Sequence, residues 1–182
     1  MDTIRRVVTG IDEKGTSVFV SDEQIAPKRP QALGGNKIFD LWGADETPTV
    51  PSQGLNPGQL RFFPINSDGY RFVIFSYPPA SQVTVPDDLE AALAEMEELT
   101  PGMGDAVSDA SGMHYTATVD LEYVLEGEFT LELDDGVTKV IKKGESLIQC
   151  GAKHSWSNQG EEWATMLLVF VGAKLDASRF RT

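Results

Sequence analysis

The chain contains two histidines, His114 and His154, and each sits among residues able to share chemistry with it. His114 opens the stretch "HYTATVDLEYVLEGE". In a β-strand, successive side chains point to opposite faces, so residues of equal parity share one face. If this stretch is extended, His114, Thr116, Thr118, Asp120 and Glu122 project together. An imidazole, two hydroxyls and two carboxyls make a poor apolar core face but a suitable lining for a wet pocket. His154 lies in "GESLIQCGAKHSW", just past a short apolar run and a glycine-containing turn. Imidazoles and carboxylates bind divalent metals and move protons near neutral pH.

These two segments resemble the paired motifs of the cupin superfamily of small antiparallel β-barrels. The first motif of that family has two histidines one residue apart, then a glutamate, then a glycine seven positions on. His114, Thr116, Asp120 and Gly127 occupy those positions here. The second motif runs glycine, Pro-x-Gly, two residues, histidine, three residues, asparagine. Gly144, Gln149, Gly151, His154 and Asn158 fill it, with glutamine in place of proline and one residue fewer before it. The likeness covers roughly residues 112–173, with "RFVIFSYPP" as a preceding barrel strand.

The resemblance implies a metal centre with His114, Asp120 and His154 as ligands, suited to Fe, Mn or Zn, and no organic cofactor. Two imidazoles and a carboxylate leave open positions for water or substrate. Thr116 stands where the family has its second histidine. Asp120, shorter than the usual glutamate, must still reach about 2.0–2.2 Å from a metal. The same residues also read as a metal-free, hydrogen-bonded polar pocket. Glu122 shares the inward parity and is the candidate acid or base. Thr116, Thr118, Gln149, Trp156 and Arg71 are candidate pocket residues, Arg71 through a bidentate grip on a substrate carboxylate. The expected function is a metal-dependent enzyme acting on a small organic molecule, as an oxygenase, decarboxylase, isomerase or lyase. The alternative is a metal-free small-molecule binding or sensor protein. Fold alone does not choose between them. A homodimer is also implied by the resemblance.

The elements that must position these residues read as all-β with one inserted helix. The predicted architecture is an antiparallel cupin or jelly-roll barrel over residues 1–182, as a single domain with an N-terminal strand extension. Residues 1–80 supply the N-terminal and first barrel strands, 81–112 a helical insertion and connector, and 112–173 the motif-bearing barrel. Strands are expected at 5–9, 17–20, 37–42, 60–64 and 70–77, separated by turn sequences such as "DEKG" and "NSDG". Leu89, Ala92, Leu93, Met96 and Leu99 recur at helical spacing, which predicts a helix near residues 86–100 bounded by Pro86 and Pro101. From His114 the pattern returns to strand, over 114–125, 129–134, 137–141, 146–149 and 164–172.

Fifteen basic residues against 28 acidic ones give a net charge of -13, which repels phosphate backbones and anionic lipid. Nucleic-acid and membrane partners are therefore not expected, and a small-molecule ligand is. A secretory leader is not recognisable in the first twenty residues, so the expected location is cytoplasmic. Cys150 is the one cysteine, which excludes an internal disulfide and a thiolate zinc cage. It is expected to be a small buried residue.

Overall fold

The computed structural model describes residues 2–106 and 112–180. The chain begins with a hairpin of β1 (Ile4–Ile11) and β2 (Ser17–Ile25), followed by β3 (Lys37–Ala44) and β4 (Tyr70–Tyr77). Two helices come next, α1 (Leu89–Leu99) and the single turn α2 (Met103–Ala106). The remaining strands are β5 (Thr118–Glu126), β6 (Glu128–Leu133), β7 (Thr138–Lys142), β8 (Ser146–Gln149), β9 (His154–Ser157) and β10 (Ala164–Gly172). They form a five-stranded sheet in the order β3-β4-β10-β5-β8 and a three-stranded sheet in the order β7-β6-β9. Every pairing is antiparallel. The expected antiparallel β fold with an inserted helix is what the chain adopts.

The two sheets close on a shared core. Val73, Phe75, Val124, Met166 and Leu168 of the larger sheet meet Phe129 and Ile141 of the smaller one. Strand β5 departs from the usual apolar-in pattern: Thr118, Asp120, Glu122 and Val124 are buried, whereas Leu121 and Tyr123 are exposed. The parity read from the sequence thus holds, and it carries polar groups inward. Gly127 makes the turn from β5 to β6 at φ 69°. A Cβ there would stand 2.8 Å from the Cα of Ala164, so only glycine fits both the backbone and the space.

Helix α1 starts at Asp88, whose carboxylate accepts a hydrogen bond from the Ala91 amide at 3.0 Å. Ala92 and Met96 are its buried positions, while Leu89 and Leu93 remain exposed, so the apolar stripe is narrower than its spacing suggests. Glu95 accepts hydrogen bonds from the backbone and side-chain amides of Gln31, which fastens the helix to the chain before β3.

Several expectations need correction. Residues 60–64 form no strand, because Phe62 and Phe63 both turn toward the barrel interior and strand alternation cannot satisfy both. The Phe62 amide instead donates to the Pro101 carbonyl at 2.7 Å. Strand β5 begins at Thr118; His114 joins the barrel separately, through an isolated antiparallel bridge to His154. The hairpin β1–β2 is its own two-stranded sheet and does not extend either barrel sheet. Ile4 and Ile25 pack it onto Phe39, Leu41 and Ile74. Cys150 is exposed, not buried. Part of the predicted 81–112 connector, residues 107–111, lies outside the described residues. Among the described residues, no helix is long and apolar enough to cross a membrane.

Candidate functional site

The inner wall of the barrel encloses a cavity of about 70 Å³ with a divided lining. One part is polar, formed by His114, His154, Asp120 and Glu122. The rest is aromatic and apolar, with Phe62, Tyr77, Met103 and Trp156 among its walls.

The two histidines arrive from different segments and are clamped together by backbone. Each backbone N–H donates to the carbonyl of the other at 2.9 Å. Their rings lie 4.4 Å apart, centroid to centroid, at 49°. Each Nδ1 is within hydrogen-bond distance of a carbonyl two residues upstream: Gly112 for His114 at 2.9 Å, and Ala152 for His154 at 2.8 Å. A carbonyl can only accept, so each Nδ1 carries the proton and each Nε2 keeps its lone pair. Burial lowers the pKa of His114 and carries that of His154 down to about 4, with the neighbouring His114 adding to the second shift. Both rings are neutral at pH 7.

Asp120 and Glu122 reach the same cavity from β5, two residues apart on its inward face. Burial pushes the Asp120 carboxyl up to about 6, opposed by a hydrogen bond from Thr118. Burial pushes Glu122 up to about 8, and the charge of Asp120 adds to it. Asp120 Oδ1 and Glu122 Oε2 are buried with no hydrogen-bond partner among the described residues. At neutral pH this pair holds one proton, mainly on Glu122. Burial also raises the Tyr77 hydroxyl above its ordinary value, with Glu122 as the second cause.

The structure therefore brings His114, Asp120, His154, Glu122 and Trp156 to one cavity. Thr116, Thr118 and Gln149 are buried beside it without lining it. Thr116 and Thr118 share a hydroxyl–hydroxyl bond of 2.6 Å, and Gln149 is the cross-strand partner of Asp120. Arg71 is not in the cavity. Its guanidinium is buried and held at all three nitrogens, by the carbonyls of Arg61, Ala44 and Tyr70 and by Asp45, so it is not placed to grip a ligand in the barrel cavity. The sequence reading missed Phe62, Tyr77 and Met103. Tyr77 was within reach, because it shares inward parity with Val73 and Phe75 on β4. Phe62 comes from irregular chain and Met103 opens the single turn α2, too short to leave a periodic trace.

Measured against the implied metal centre, the imidazole half fits and the carboxylate half does not. Among the described residues neither Nε2 has a hydrogen-bond partner, and both rings are oriented by backbone carbonyls, as metal-ligating histidines are. Among the described residues, however, no three His, Cys, Asp or Glu side chains come together closely enough to hold a metal ion. Asp120 shares the cavity with the imidazoles but does not complete a three-donor set.

Residues 103–171 match the Cupin domain family, Cupin_2. The chain is 31% identical over 175 residues to phomopsin biosynthesis cluster protein C' of Diaporthe leptostromiformis, across 94% of this chain and 80% of that protein. It is 27% identical over 170 residues to the cupin-domain-containing oxidoreductase srdB of Neurospora crassa, across 93% of this chain and 74% of that protein. Among solved structures, the cupin domain of Schizosaccharomyces pombe Cnp3 aligns over 98% of this chain and 90% of that chain, at 14% identity and a TM-score of 0.45. The motif residues meet in one barrel, and the relatives extend along nearly the whole chain: the protein belongs to the cupin superfamily, related to fungal cupin-domain oxidoreductases and to phomopsin biosynthesis cluster proteins.

Proposed function

We propose that this cupin is an enzyme that moves protons on a small, uncharged organic molecule held in the barrel cavity. The observation that carries this reading is the placement of Asp120 and Glu122, two carboxyls buried two residues apart on the wall of an otherwise largely aromatic and apolar cavity, where burial raises the pKa of both and that of Glu122 further. Groups whose environments set their pKa values apart divide into an acid and a base. Glu122, protonated at neutral pH, donates to an oxygen of the ligand, and the Asp120 carboxylate accepts a proton. The neutral imidazoles of His114 and His154 accept hydrogen bonds at Nε2 from ligand hydroxyl or N–H groups. An anionic ligand is disfavoured here, because it would meet the charge of Asp120 in a poorly solvated space. The kinship with biosynthesis-cluster cupins supports an organic metabolite as the ligand class.

The test is a panel of neutral phenols and aryl ketones, screened for binding by thermal shift and for turnover or solvent deuterium uptake by mass spectrometry. Glu122→Gln should lower turnover by about 10²–10⁴-fold with binding held within a few fold. Binding without turnover anywhere in the panel would overturn the enzyme reading in favour of a binding or sensor protein.

A second reading, a divalent metal (Fe, Mn or Zn) at the two histidines, is favoured by the carbonyl-fixed imidazoles alone. Elemental analysis after anaerobic isolation decides it. About one equivalent supports it, and less than about 0.1 equivalent with no gain on reconstitution removes it.

A further inference from the structure

The barrel cavity presents a polar group that the proton chemistry above leaves unused, the hydroxyl of Tyr77. Tyr77 ends β4 and lines the cavity together with Asp120 and Glu122. Its ring is fixed by its neighbours. Phe129 meets it edge-on at 5.4 Å between centroids, and Phe75 lies tilted against it at 5.8 Å. Its backbone pairs with Ala164 of β10, and its carbonyl accepts the Asn158 side-chain amide at 3.2 Å. Packing on these sides sets both side-chain torsions, so the hydroxyl is aimed at one place.

That hydroxyl has no hydrogen-bond partner among the described residues, although buried phenols ordinarily find one. It is not sealed off by protein either. The buried polar atoms that lack both a partner and access are Arg6 Nε, Asp120 Oδ1, Glu122 Oε2 and Gln149 Nε2, and the Tyr77 hydroxyl is not one of them. Glu122 is near enough for its charge to act on the hydroxyl, which places it on the polar side of the cavity, yet no bond joins the two. Burial keeps the phenol protonated, so it works as a donor and not as a base. A fixed donor, open to a cavity and spent on no protein group, is complementary to an oxygen of whatever the cavity holds.

We propose that Tyr77 is a catalytic residue of the barrel site and that the substrate is a neutral ketone with an α-hydrogen, whose carbonyl oxygen accepts from the Tyr77 hydroxyl. The inference rests on the proton-moving reading of Asp120 and Glu122. In that reading the Asp120 carboxylate removes the α-proton. The C–H electron pair becomes the new C=C bond, and the carbonyl π pair moves onto oxygen, where Tyr77 and Glu122 both donate. Return of the proton from Asp120 to carbon restores a ketone, with its hydrogen exchanged or its double bond shifted. No oxidant or reductant takes part. Negative charge leaves Asp120 as it reaches the oxygen, so the cavity gains no second charge, and preorganised donors at that oxygen lower the barrier.

The experiment follows α-deuterium uptake by NMR in D₂O, with the full chain and with 2-butanone, cyclopentanone and acetophenone as probes. Saturable uptake is expected for at least one of them. Tyr77→Phe keeps the ring and its packing, and should lower kcat about 10²-fold with KM within about threefold. Loss of a mere packing residue would lower the melting temperature without that split. A second measurement needs no variant: the ¹³C-labelled carbonyl of a bound probe should move downfield on the wild type. Uptake that falls in Glu122→Gln but not in Tyr77→Phe overturns the role of Tyr77 and leaves the proton-moving reading standing, as does an unshifted carbonyl signal. Turnover of phenols with no exchange of any ketone overturns the substrate class alone. Turnover of no compound at all overturns both.

Discussion

His114 and His154 hold each other through main chain, exchanging backbone N–H···O=C bonds at 2.9 Å in both directions while their rings lie 4.4 Å apart. Forty residues separate them in sequence. The reciprocal bridge fixes both rings without spending either imidazole, and the Nδ1 bonds to the Gly112 and Ala152 carbonyls set the tautomers. The result is a pair of neutral acceptors beside two buried carboxyls whose pKa values burial raises.

Neutral buried imidazoles make the fold sensitive to acid. His154 titrates at about 4 in the folded chain against 6.5 in its absence, so the folded state binds fewer protons between those values. Stability from this residue is complete above pH 6.5 and is lost as pH falls toward 4. Urea denaturation should show the advantage of the wild type over His154→Gln shrinking by about 3 kcal/mol between pH 7 and pH 4. A constant difference across that range would contradict the assignment.

Glu122 has the opposite sign. Its folded pKa of about 8 exceeds the ordinary 4.5, so the folded state binds the extra proton. Its stability contribution is complete below pH 4.5 and is lost as pH rises through 8. Glu122→Gln keeps the neutral shape and removes the titration. Relative to wild type it should gain on the order of 4 kcal/mol between pH 4.5 and pH 9, read from denaturation midpoints at the two ends.

Phe129 is fully buried and sets its ring edge-on to both Tyr77 and Trp156, two walls of the cavity. Phe129→Ala should cost about 3–5 kcal/mol, and the cavity it opens should loosen both walls. Calorimetry gives the first quantity. Fluorescence quenching of the tryptophans by acrylamide, increased over wild type, checks the second.

Asn158, the last residue of the second motif, acts as a tie. Its Nδ2 donates to the Tyr77 carbonyl at 3.2 Å and to the Glu162 carbonyl at 2.8 Å, while Oδ1 accepts from the Gly160 amide at 3.0 Å. Asn158→Ala leaves those groups without their partner and should cost about 2–3 kcal/mol. Because the bond to Tyr77 joins the β9–β10 turn to β4, faster amide exchange should appear in both places at once.

The fold was legible because its determinants are local. Strand parity placed Asp120 and Glu122 on the inward face of β5, turn glycines such as Gly127 marked the strand ends, and apolar spacing located α1. The pairing of His114 with His154 was legible as two motifs but not as a geometry. His114 lies outside β5 and is held by a bridge rather than by strand register. Arg71 shows the limit most clearly. Its sequence position on β4 suited a substrate grip, yet three carbonyls and Asp45 absorb its donors, and those partners come together only in the folded chain. The same holds for Phe62, which no periodicity predicts and which lines the barrel cavity. By itself the sequence determined the barrel and the identity of its polar residues, because period-two alternation and turn chemistry act between near neighbours. Tertiary structure alone decided which of those residues share a cavity, which are spent on backbone, and which titrate far from their ordinary values. Those properties depend on desolvation and on partners distant in the chain.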